Sequence, residues 1–398
     1  MKDVAIVGGG PSGCFMGEKL AKKGFKTTIV EEHSEVGQPM CCAGILGAQR
    51  LLKETGLDPK NWSVNELKGG IFNPPSGNSV KLTRNQTEAY AIDRARFDRS
   101  LAERAVRAGA ELRLNTRCTE VSPRENKVSL KTETQNGKEQ LESRLVIGAD
   151  GTNSLVARNC DLMKEFSPTI CAQAEIVKET EDFDARVYVG NELSQDFFAW
   201  KVPAGDVYRV GLGDKEGNVK EKLHKFMKNT SDFSQNTQNK MVRLTTDLIP
   251  TPNTRKIYGN RVLLIGDAAG QVKPLTGGGL YLGLSCAKIA SQVAAEALEK
   301  EPSEKNLQKY EASVNEKFGR EFELGARARK ILKKMTDEDL SEFIELLEKP
   351  KIRNLILENA DFDRHSNLFK TLIKKGPSLI KSVGARKLTK YLSWLMDS

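Results

Sequence analysis

The sequence predicts an α/β protein whose centre is a Rossmann-like nucleotide-binding domain of three layers (ββα), with an inserted antiparallel sheet and a C-terminal helical region. Three observations predict this fold: a βαβ unit at the start of the chain, two later strands that each lead into a glycine-rich turn, and a series of alternating strands between those turns. The 398 residues are enough for a large core and for two or three structural units.

The βαβ unit comprises the predicted strand "DVAIV", the predicted helix "PSGCFMGEKLAKKG" and the predicted strand "KTTIVEE". The turn before the helix has GxGxxG spacing and contains Gly8, Gly10, Ser12 and Gly13. Gly8 permits the tight turn, Gly10 lets a pyrophosphate approach the backbone, and Gly13 lets the helix pack close to the strand. Glu31 follows the second strand, where its carboxylate can accept hydrogen bonds from both hydroxyls of a ribose. The unit predicts a bound dinucleotide, and a glycine-rich turn without a ligand is the alternative.

Two later segments add to this pattern. Residues 142–158, "ESRLVIGADGTNSLVAR", predict a strand that ends at a turn containing Asp150. Residues 260–298, "NRVLLIGDAAGQVKPLTGGGLYLGLSCAKIASQVAAEAL", predict a strand, a loop containing Asp267 and a long helix. Together with the βαβ unit, these segments resemble the FAD flavoproteins of the p-hydroxybenzoate hydroxylase type, which include the geranylgeranyl reductases.

The resemblance covers roughly residues 1–300 and implies a Rossmann-like FAD-binding domain. It implies that Asp267 holds a ribityl hydroxyl of FAD. It also implies that the start of the last helix, at Gly278, Gly279 and Leu280, faces the pyrimidine edge of the flavin. A helix N-terminus there stabilises the negative charge of reduced flavin. From the residues alone, a helix N-cap remains the alternative for Asp267, and a turn residue remains the alternative for Asp150.

Further stretches resemble the geranylgeranyl reductases in particular. In "QPMCCAGILG", residues 38–47, Cys42 and Ala43 resemble the start of a loop that contacts the flavin. In "FFAWKVPAGDVYRVGLG", residues 197–213, the resemblance implies a substrate pocket formed by Phe198, Trp200 and Pro203.

Two more cofactor contacts are implied by the same resemblance. "YAIDRARFDRSLAERAVRAGAEL", residues 90–112, resembles a strand and helix with an arginine that contacts the cofactor, which corresponds to Arg94. Cys118 lies where the family has a residue beside the adenosine.

An isolated alkene has no carbonyl to polarise, so its reduction needs an acid or a cationic carbon that accepts hydride. Cys42 is the candidate proton donor, and a small structural thiol is the alternative. Trp200, with Phe197 and Phe198, is the candidate apolar wall whose ring faces stabilise positive charge, and an ordinary core aromatic is the alternative. Cys41 is predicted to be structural, since neighbouring cysteines seldom form a disulfide.

The resulting hypothesis is an FAD-dependent oxidoreductase that acts on CH–CH groups and saturates double bonds of geranylgeranyl chains in an isoprenoid glycerophospholipid. The alternatives are an aromatic monooxygenase of the same fold, or a non-catalytic flavoprotein that carries electrons or binds lipid. No second GxGxxG follows a strand, and no cysteine cluster fits an iron–sulfur centre. An external electron donor is therefore expected, either NAD(P)H or a ferredoxin-like protein.

The composition bears on other classes of protein, namely nucleic-acid-binding, disulfide-rich, metal-binding and membrane proteins. The net charge of +9 admits anionic partners, but outside the C-terminal tail the basic residues lack interleaved stacking aromatics, which argues against nucleic acid. Seven cysteines without zinc spacing and three histidines predict neither a disulfide scaffold nor a metal site. A start without room for a signal peptide and the absence of a long apolar run lead us to expect a cytoplasmic protein.

The C-terminal stretch is unusually basic. Residues 366–396 contain seven Lys or Arg and no Asp or Glu, interleaved with apolar residues. This pattern predicts amphipathic helices with a break at Gly376 and Pro377. They are expected either to rest on the inner face of an anionic membrane or to form a closing helical subdomain with a basic face.

The FAD-binding domain is predicted to be discontinuous and to comprise residues 1–70, 90–165 and 250–300. Residues 71–89 and 166–249 form the predicted substrate domain, because "TICAQAEIV", "ARVYVG", "DFFAWKV" and "VYRVGLG" alternate as strands of an antiparallel sheet. Residues 301–398 form the predicted helical region.

Overall fold

The computed structural model describes residues 1–383 except 41, 180–181, 234–236 and 253–254. Cys41 and the basic stretch beyond residue 383 therefore lie outside the described residues. The strands are β1 (Lys2–Val7), β2 (Thr27–Val30), β3 (Ile45–Gly47), β4 (Ser63–Leu67), β5 (Gly69–Asn73), β6 (Val80–Thr83), β7 (Ala89–Ile92), β8 (Glu111–Arg113), β9 (Arg117–Pro123), β10 (Val128–Thr134), β11 (Gly137–Gly148), β12 (Thr169–Val177), β13 (Ala185–Tyr188), β14 (Ala199–Ala204), β15 (Val207–Asp214), β16 (Met241–Ile249), β17 (Tyr258–Gly259) and β18 (Val262–Leu264). The α-helices are α1 (Pro11–Ala21), α2 (Arg50–Thr55), α3 (Arg94–Arg107), α4 (Leu155–Asn159), α5 (Val219–Asn229), α6 (Leu280–Glu299), α7 (Glu304–Leu307), α8 (Lys309–Leu332), α9 (Asp337–Leu346), α10 (Pro350–Asn359) and α11 (Ser366–Val383).

The first sheet is built around the predicted βαβ unit. Strand β1 pairs in parallel with β2 and β11, and the full order is β17-β18-β11-β1-β2-β8. Strands β9 and β10 continue from β11 as an antiparallel extension. Helices α1, α3 and α6 share one core with this sheet, in which Ile6, Phe15 and Ile147 are fully buried. The predicted α/β class is confirmed.

The second sheet has the order β16-β12-β15-β14-β13-β5-β6. Its pairs are antiparallel except for β13 with β5, and the four strands predicted between residues 169 and 213 are present as β12 to β15. A third, small sheet has the order β3-β7-β4. The alternation of side chains on β14 places Trp200 and Val202 together in one apolar cluster with Ala89 and Ala91 of β7.

The C-terminal helices pack back onto both sheets. Helix α8 packs against α6, and α10 packs against β6. Leu368 and Leu372 of α11 pack against the cluster that contains Leu82 and Ile352. The backbone of α11 continues as a helix through Gly376 and Pro377, so the predicted break there is wrong. A proline removes one backbone hydrogen bond from a helix, but its fixed φ is compatible with helical geometry. The helix therefore continues on both sides of Pro377.

Hydropathy along the described helices is too low for a bilayer crossing, because no helix combines the necessary length with sufficient apolar character.

Candidate functional site

A cavity of about 880 Å³ is lined by residues of both large sheets and of the C-terminal region. Its walls contain most of the predicted site residues: Gly8, Gly10, Ser12, Glu31, Cys42, Ala43, Arg94, Cys118, Phe198, Trp200, Asp267, Gly278, Gly279 and Leu280. Gly13 and Pro203 are not on the walls. The fold therefore brings motifs from distant parts of the chain to one place.

The two predicted residues off the cavity wall have structural surroundings instead. A Cβ on Gly13 would lie 2.1 Å from the carbonyl oxygen of Gly8, so Gly13 serves the close packing of α1 against its strand. Pro203 is buried between Val202 and Ala204 on β14, and strand alternation turns it away from the face of Trp200. The predicted contact of Pro203 with substrate therefore has no support in the structure.

The glycine turn leaves open space at one position only. Gly8 has φ +104°, and a Cβ there would lie 2.3 Å from the carbonyl oxygen of Ala149. At Gly10, by contrast, a Cβ would meet no atom within 4 Å. Gly10 thus faces the open cavity at the N-terminus of α1, where backbone N–H groups are free to bind an anion.

Glu31 and Ser12 connect the glycine turn to neighbouring segments of the chain. Glu31 Oε2 accepts a hydrogen bond from the backbone N–H of Gly9 at 2.6 Å, and Oε1 accepts one from the backbone N–H of His33 at 3.0 Å. The ring nitrogen Nδ1 of His33 also lies 2.6 Å from Oε1, so Oε2 is the oxygen that keeps a lone pair for a ribose hydroxyl. The Ser12 hydroxyl oxygen lies 2.7 Å from the position that a Cβ on Gly266 would take. Ser12 therefore joins the first glycine turn to the loop of Asp267.

The two predicted aspartates differ in their contacts. Asp150 accepts hydrogen bonds from Ser154 Oγ at 2.6 Å and from the backbone N–H of Val156 at 3.1 Å, so its carboxylate stabilises the start of α4. Among the described residues, no donor bonds the carboxylate of Asp267, and that side chain caps neither its own 3₁₀ turn, Gly266–Ala269, nor α6. The N-cap alternative is thus unsupported for Asp267, while a local turn role describes Asp150. Burial, together with the negative charge of Asp247, raises the pKa of Asp267 to about 6.

The loop of Cys42 lies against two guanidinium groups. Cys42 Sγ accepts a hydrogen bond from the backbone N–H of Gly44 at 3.3 Å, and the guanidinium of Arg94 lies near enough to interact with it electrostatically. Arg94 is held by a two-point ion pair with Asp98, whose shorter distance is 2.9 Å. Arg209 Nη1 donates to the carbonyl oxygen of Ala43 at 3.1 Å. Positive charge and an N–H donor therefore surround the thiol.

An aromatic wall stands on β14 and the residues before it. The rings of Phe197 and Phe198 stack with centroids 4.2 Å apart, and Phe198 meets Trp200 edge-on at 6.2 Å. A Cβ on Gly211 would lie 2.4 Å from Cζ2 of Trp200, and one on Gly213 would lie 2.8 Å from Cδ1 of Phe197. The two glycines of "VGLG" thus leave the space that the aromatic rings occupy.

Several residues with a place in or beside this cavity were not predicted. Gln173 and Arg209 are polar residues flanked on both sides by apolar ones within buried strands, which is a signal that the sequence offered. Lys273 and Phe362 line the wall, and Lys273 Nζ donates to the carbonyl oxygen of Phe362 at 2.8 Å. Nothing in the local pattern around Phe362 indicates that the C-terminal region returns to this cavity.

Comparison with known proteins identifies the family. The family model described as "FAD binding domain" matches residues 1–317. A digeranylgeranylglycerophospholipid reductase of Methanocaldococcus jannaschii is 33% identical, over 95% of this chain and 96% of that protein. The chain belongs to the FAD-binding family that contains these reductases.

Other similar proteins extend this result. The digeranylgeranylglycerophospholipid reductase 2 of Methanopyrus kandleri is 31% identical to this flavoprotein, over 95% of this chain and 98% of that protein. A solved geranylgeranyl bacteriochlorophyll reductase-like protein of Thermoplasma acidophilum has a TM-score of 0.82 at 26% identity, covering 96% of this chain and 98% of that one. The p-nitrophenol 4-monooxygenase of Pseudomonas putida shares the fold, with a TM-score of 0.73 at 19% identity over 94% of this chain and 98% of that one.

FAD is the cofactor of this flavoprotein, as predicted. The cavity fits it: Gly10 leaves open space at a helix N-terminus, Glu31 retains acceptor capacity, and the carboxylate of Asp267 lacks a donor among the described residues. A ribityl hydroxyl is a suitable donor for Asp267.

We expect D267N to stabilise the FAD-free protein while weakening its FAD affinity. Folding raises the pKa of Asp267 from 3.8 to about 6. The protonated carboxyl group therefore contributes its full share to the free energy of unfolding below about pH 4, and this contribution is lost as the pH rises through 6. D267N should therefore raise the free energy of unfolding at about pH 8 by on the order of 2 kcal/mol, after allowance for water in the cavity, and change little near pH 4. FAD affinity should fall about tenfold, because an amide accepts a hydroxyl hydrogen bond less strongly than a carboxylate.

Urea unfolding of the FAD-free protein at the two pH values and titration with FAD measure both effects. Equal stabilisation at both pH values would contradict the titration argument, and unchanged FAD affinity would contradict the cofactor contact.

Proposed function

We propose that this protein is an FAD-dependent reductase that saturates carbon–carbon double bonds of geranylgeranyl chains in isoprenoid glycerophospholipids. The observation that carries the proposal is that the Cys42 thiol and the Phe198–Trp200 aromatic wall line the same cavity as the FAD-binding motifs. The similarity to the named reductases extends over nearly the whole chain, including the segments that contribute these side chains.

Saturation of an alkene adds a hydride to one carbon and a proton to the other. Bound FAD, when reduced, supplies the hydride. Cys42 supplies the proton in this proposal, and Arg94 together with the Gly44 N–H stabilises the thiolate that remains. The ring faces of Phe198 and Trp200 stabilise positive charge on the carbon that accepts the hydride and exclude water from it.

The rest of the wall suits an aliphatic chain. Cys171, Val187, Val202, Ile249 and Phe362 contribute apolar side chains to the cavity. The monooxygenase alternative is supported by fold similarity alone, at 19% identity. The reductases are the more similar relatives, at 31–33% identity, and they favour an alkene substrate over an aromatic ring to be hydroxylated.

The reaction also requires electrons from outside the chain. We propose NAD(P)H or a ferredoxin-like protein as the donor, and the net charge of +9 favours an acidic carrier protein. We further propose peripheral contact between the basic C-terminal stretch and anionic lipid, where a prenylated substrate resides. Because Leu368 and Leu372 pack inward, this contact would rely on the basic residues. Co-sedimentation with anionic and neutral vesicles at low salt tests it, and equal binding to both would exclude it.

The proposed activity can be tested without knowledge of the natural donor. The FAD-loaded protein is reduced with dithionite under anaerobic conditions and mixed with a geranylgeranyl glycerophospholipid. We expect flavin reoxidation and a lipid mass gain of about two daltons per saturated bond, the weight of the added H₂. Reduced flavin that stays stable with every prenyl lipid would instead support an electron carrier. Substrate-dependent oxygen consumption with NADPH and a phenol would support the monooxygenase.

A further inference from the structure

Gln173 lies behind the cavity, in the middle of β12, and is 2% exposed. Its Nε2 donates a hydrogen bond to the carbonyl oxygen of Cys42 at 3.1 Å. Its Oε1 accepts a hydrogen bond from Trp200 Nε1, also at 3.1 Å. One buried side chain thus connects the loop of the thiol to the indole of the aromatic wall.

The orientation of the Gln173 amide follows from the chemistry of its partners. The indole N–H can only donate, and a backbone carbonyl can only accept. Only the orientation with Oε1 towards Trp200 and Nε2 towards Cys42 satisfies both. The two hydrogen bonds therefore form together, and an inverted amide would lose both.

The neighbouring strand supports the same arrangement. Gly211 of β15 pairs with Gln173 of β12. Because Gly211 has no side chain, the Trp200 indole can pack directly against its backbone. Two residues before it, Arg209 donates to the carbonyl oxygen of Ala43. Two consecutive carbonyl groups of the thiol loop are therefore held by side chains of the second sheet.

We propose that Gln173 is a positioning residue that holds the Cys42 thiol and the Trp200 indole in fixed relative places. This proposal rests on the proposed function for the chemical roles of those two groups. Proton donation to one carbon and stabilisation of charge on its neighbour must occur on the same substrate at the same time. Reactions of this kind lose rate when the acting groups are displaced by even about 1 Å.

The test compares Q173E and Q173M in the full-length, FAD-loaded protein. A protonated carboxyl group can donate to Cys42 and accept from Trp200, as the amide does, whereas an ionised one cannot donate and repels the Cys42 carbonyl. Burial raises the pKa of a carboxyl group, which places this change within an accessible pH range. Q173M removes both hydrogen bonds at every pH.

The first readout is the rate of Cys42 alkylation by iodoacetamide, followed by peptide mass spectrometry in a C41S background. Each rate is divided by that of the Gln173 parent at the same pH. For Q173E we expect a ratio near one at acidic pH and a ratio of about ten at higher pH. The rise corresponds to loss of the hydrogen bond to the Cys42 carbonyl when the carboxyl group ionises. For Q173M we expect a raised ratio at all pH values.

Q271E is the matched control. Gln271 is also 2% exposed, accepts from the backbone N–H of Gly266 at 2.8 Å, and donates to Tyr310 Oη at 2.6 Å; neither hydrogen bond involves the loop of Cys42. At equal FAD content, its Cys42 alkylation ratio should stay near one. A raised ratio in Q271E equal to that in Q173E would show general loosening by a buried acid and overturn the proposal. An unchanged ratio in Q173M would overturn it as well.

The second readout is the single-turnover rate of flavin reoxidation by prenyl lipid. Q173M should lower it about tenfold in the parent and by a clearly smaller factor in a C42A background, where only the position of the Trp200 indole is left to change. Equal losses in both backgrounds would contradict positioning of the thiol. The alkylation readout needs no lipid. If alkylation responds while the parent fails to reduce any prenyl lipid, the proposed function fails and the positioning of the Cys42 loop stands.

Discussion

The variant Gly10→Val is expected to fold normally and to purify without FAD. Gly10 has φ −68° and ψ 178°, an extended conformation that valine adopts readily. A Cβ there meets no protein atom within 4 Å, so the valine methyl groups project into the open cavity at the N-terminus of α1. A pyrophosphate that must approach this backbone closely would be excluded. We expect FAD affinity to fall at least on the order of 100-fold, or about 3 kcal/mol.

The measurements are the flavin absorbance of the purified protein, titration of FAD-free protein with FAD, and the thermal unfolding midpoint of both FAD-free proteins. G13A provides the contrast, because a Cβ there lies 2.1 Å from the Gly8 carbonyl oxygen and should destabilise the fold itself. G10V protein that is yellow, with FAD affinity within a factor of about three of the parent, would show that the pyrophosphate does not lie at this turn.

The variant Cys42→Ala is expected to bind FAD and to lose nearly all reduction of prenyl lipid. A positioned general acid contributes about 10²–10⁴ in rate, so single-turnover reoxidation by lipid should fall by at least about 100-fold. The structure gives the reason: the Gly44 N–H hydrogen-bonds Sγ and the positive charge of Arg94 lies beside it, and both would stabilise the thiolate that remains after proton donation. C42S keeps a hydrogen-bond acceptor there but offers a weaker acid, so its rate should lie between C42A and the parent.

Stopped-flow absorbance of dithionite-reduced protein mixed with lipid measures these rates. C160A is the control, because Cys160 is a partly buried thiol that packs against the main core and does not line the cavity. Its rate should match that of the parent. If C42A reoxidises at the parental rate, Cys42 is a structural thiol and the proton comes from another group.

Predictions from local spacing proved the most reliable. The strands around the glycine turn, the helix after it and the four strands between residues 169 and 213 follow from periodicity that is independent of distant partners. The break at Gly376 and Pro377 was wrong, because a proline carries only a local preference and the backbone of α11 continues as a helix through both residues. The placement of Pro203 in a substrate pocket relied on the motif alone. The alternation of side chains along β14 decides which of them reach the cavity, and Pro203 is not among those that line it.

By itself, the sequence determined the α/β class and the dinucleotide turn, because residue type and short spacing carry that information. The FAD cofactor followed from the resemblance to a known flavoprotein family, and the roles of Cys42 and Trp200 stay predictions. Only the tertiary structure decided that Asp150 supports a helix while Asp267 has no hydrogen-bond donor among the described residues, and that Gln173 and Arg209 hold the loop of Cys42. These contacts join residues far apart in the chain. They depend on strand register and on how the sheets pack, and neither is encoded in any one segment.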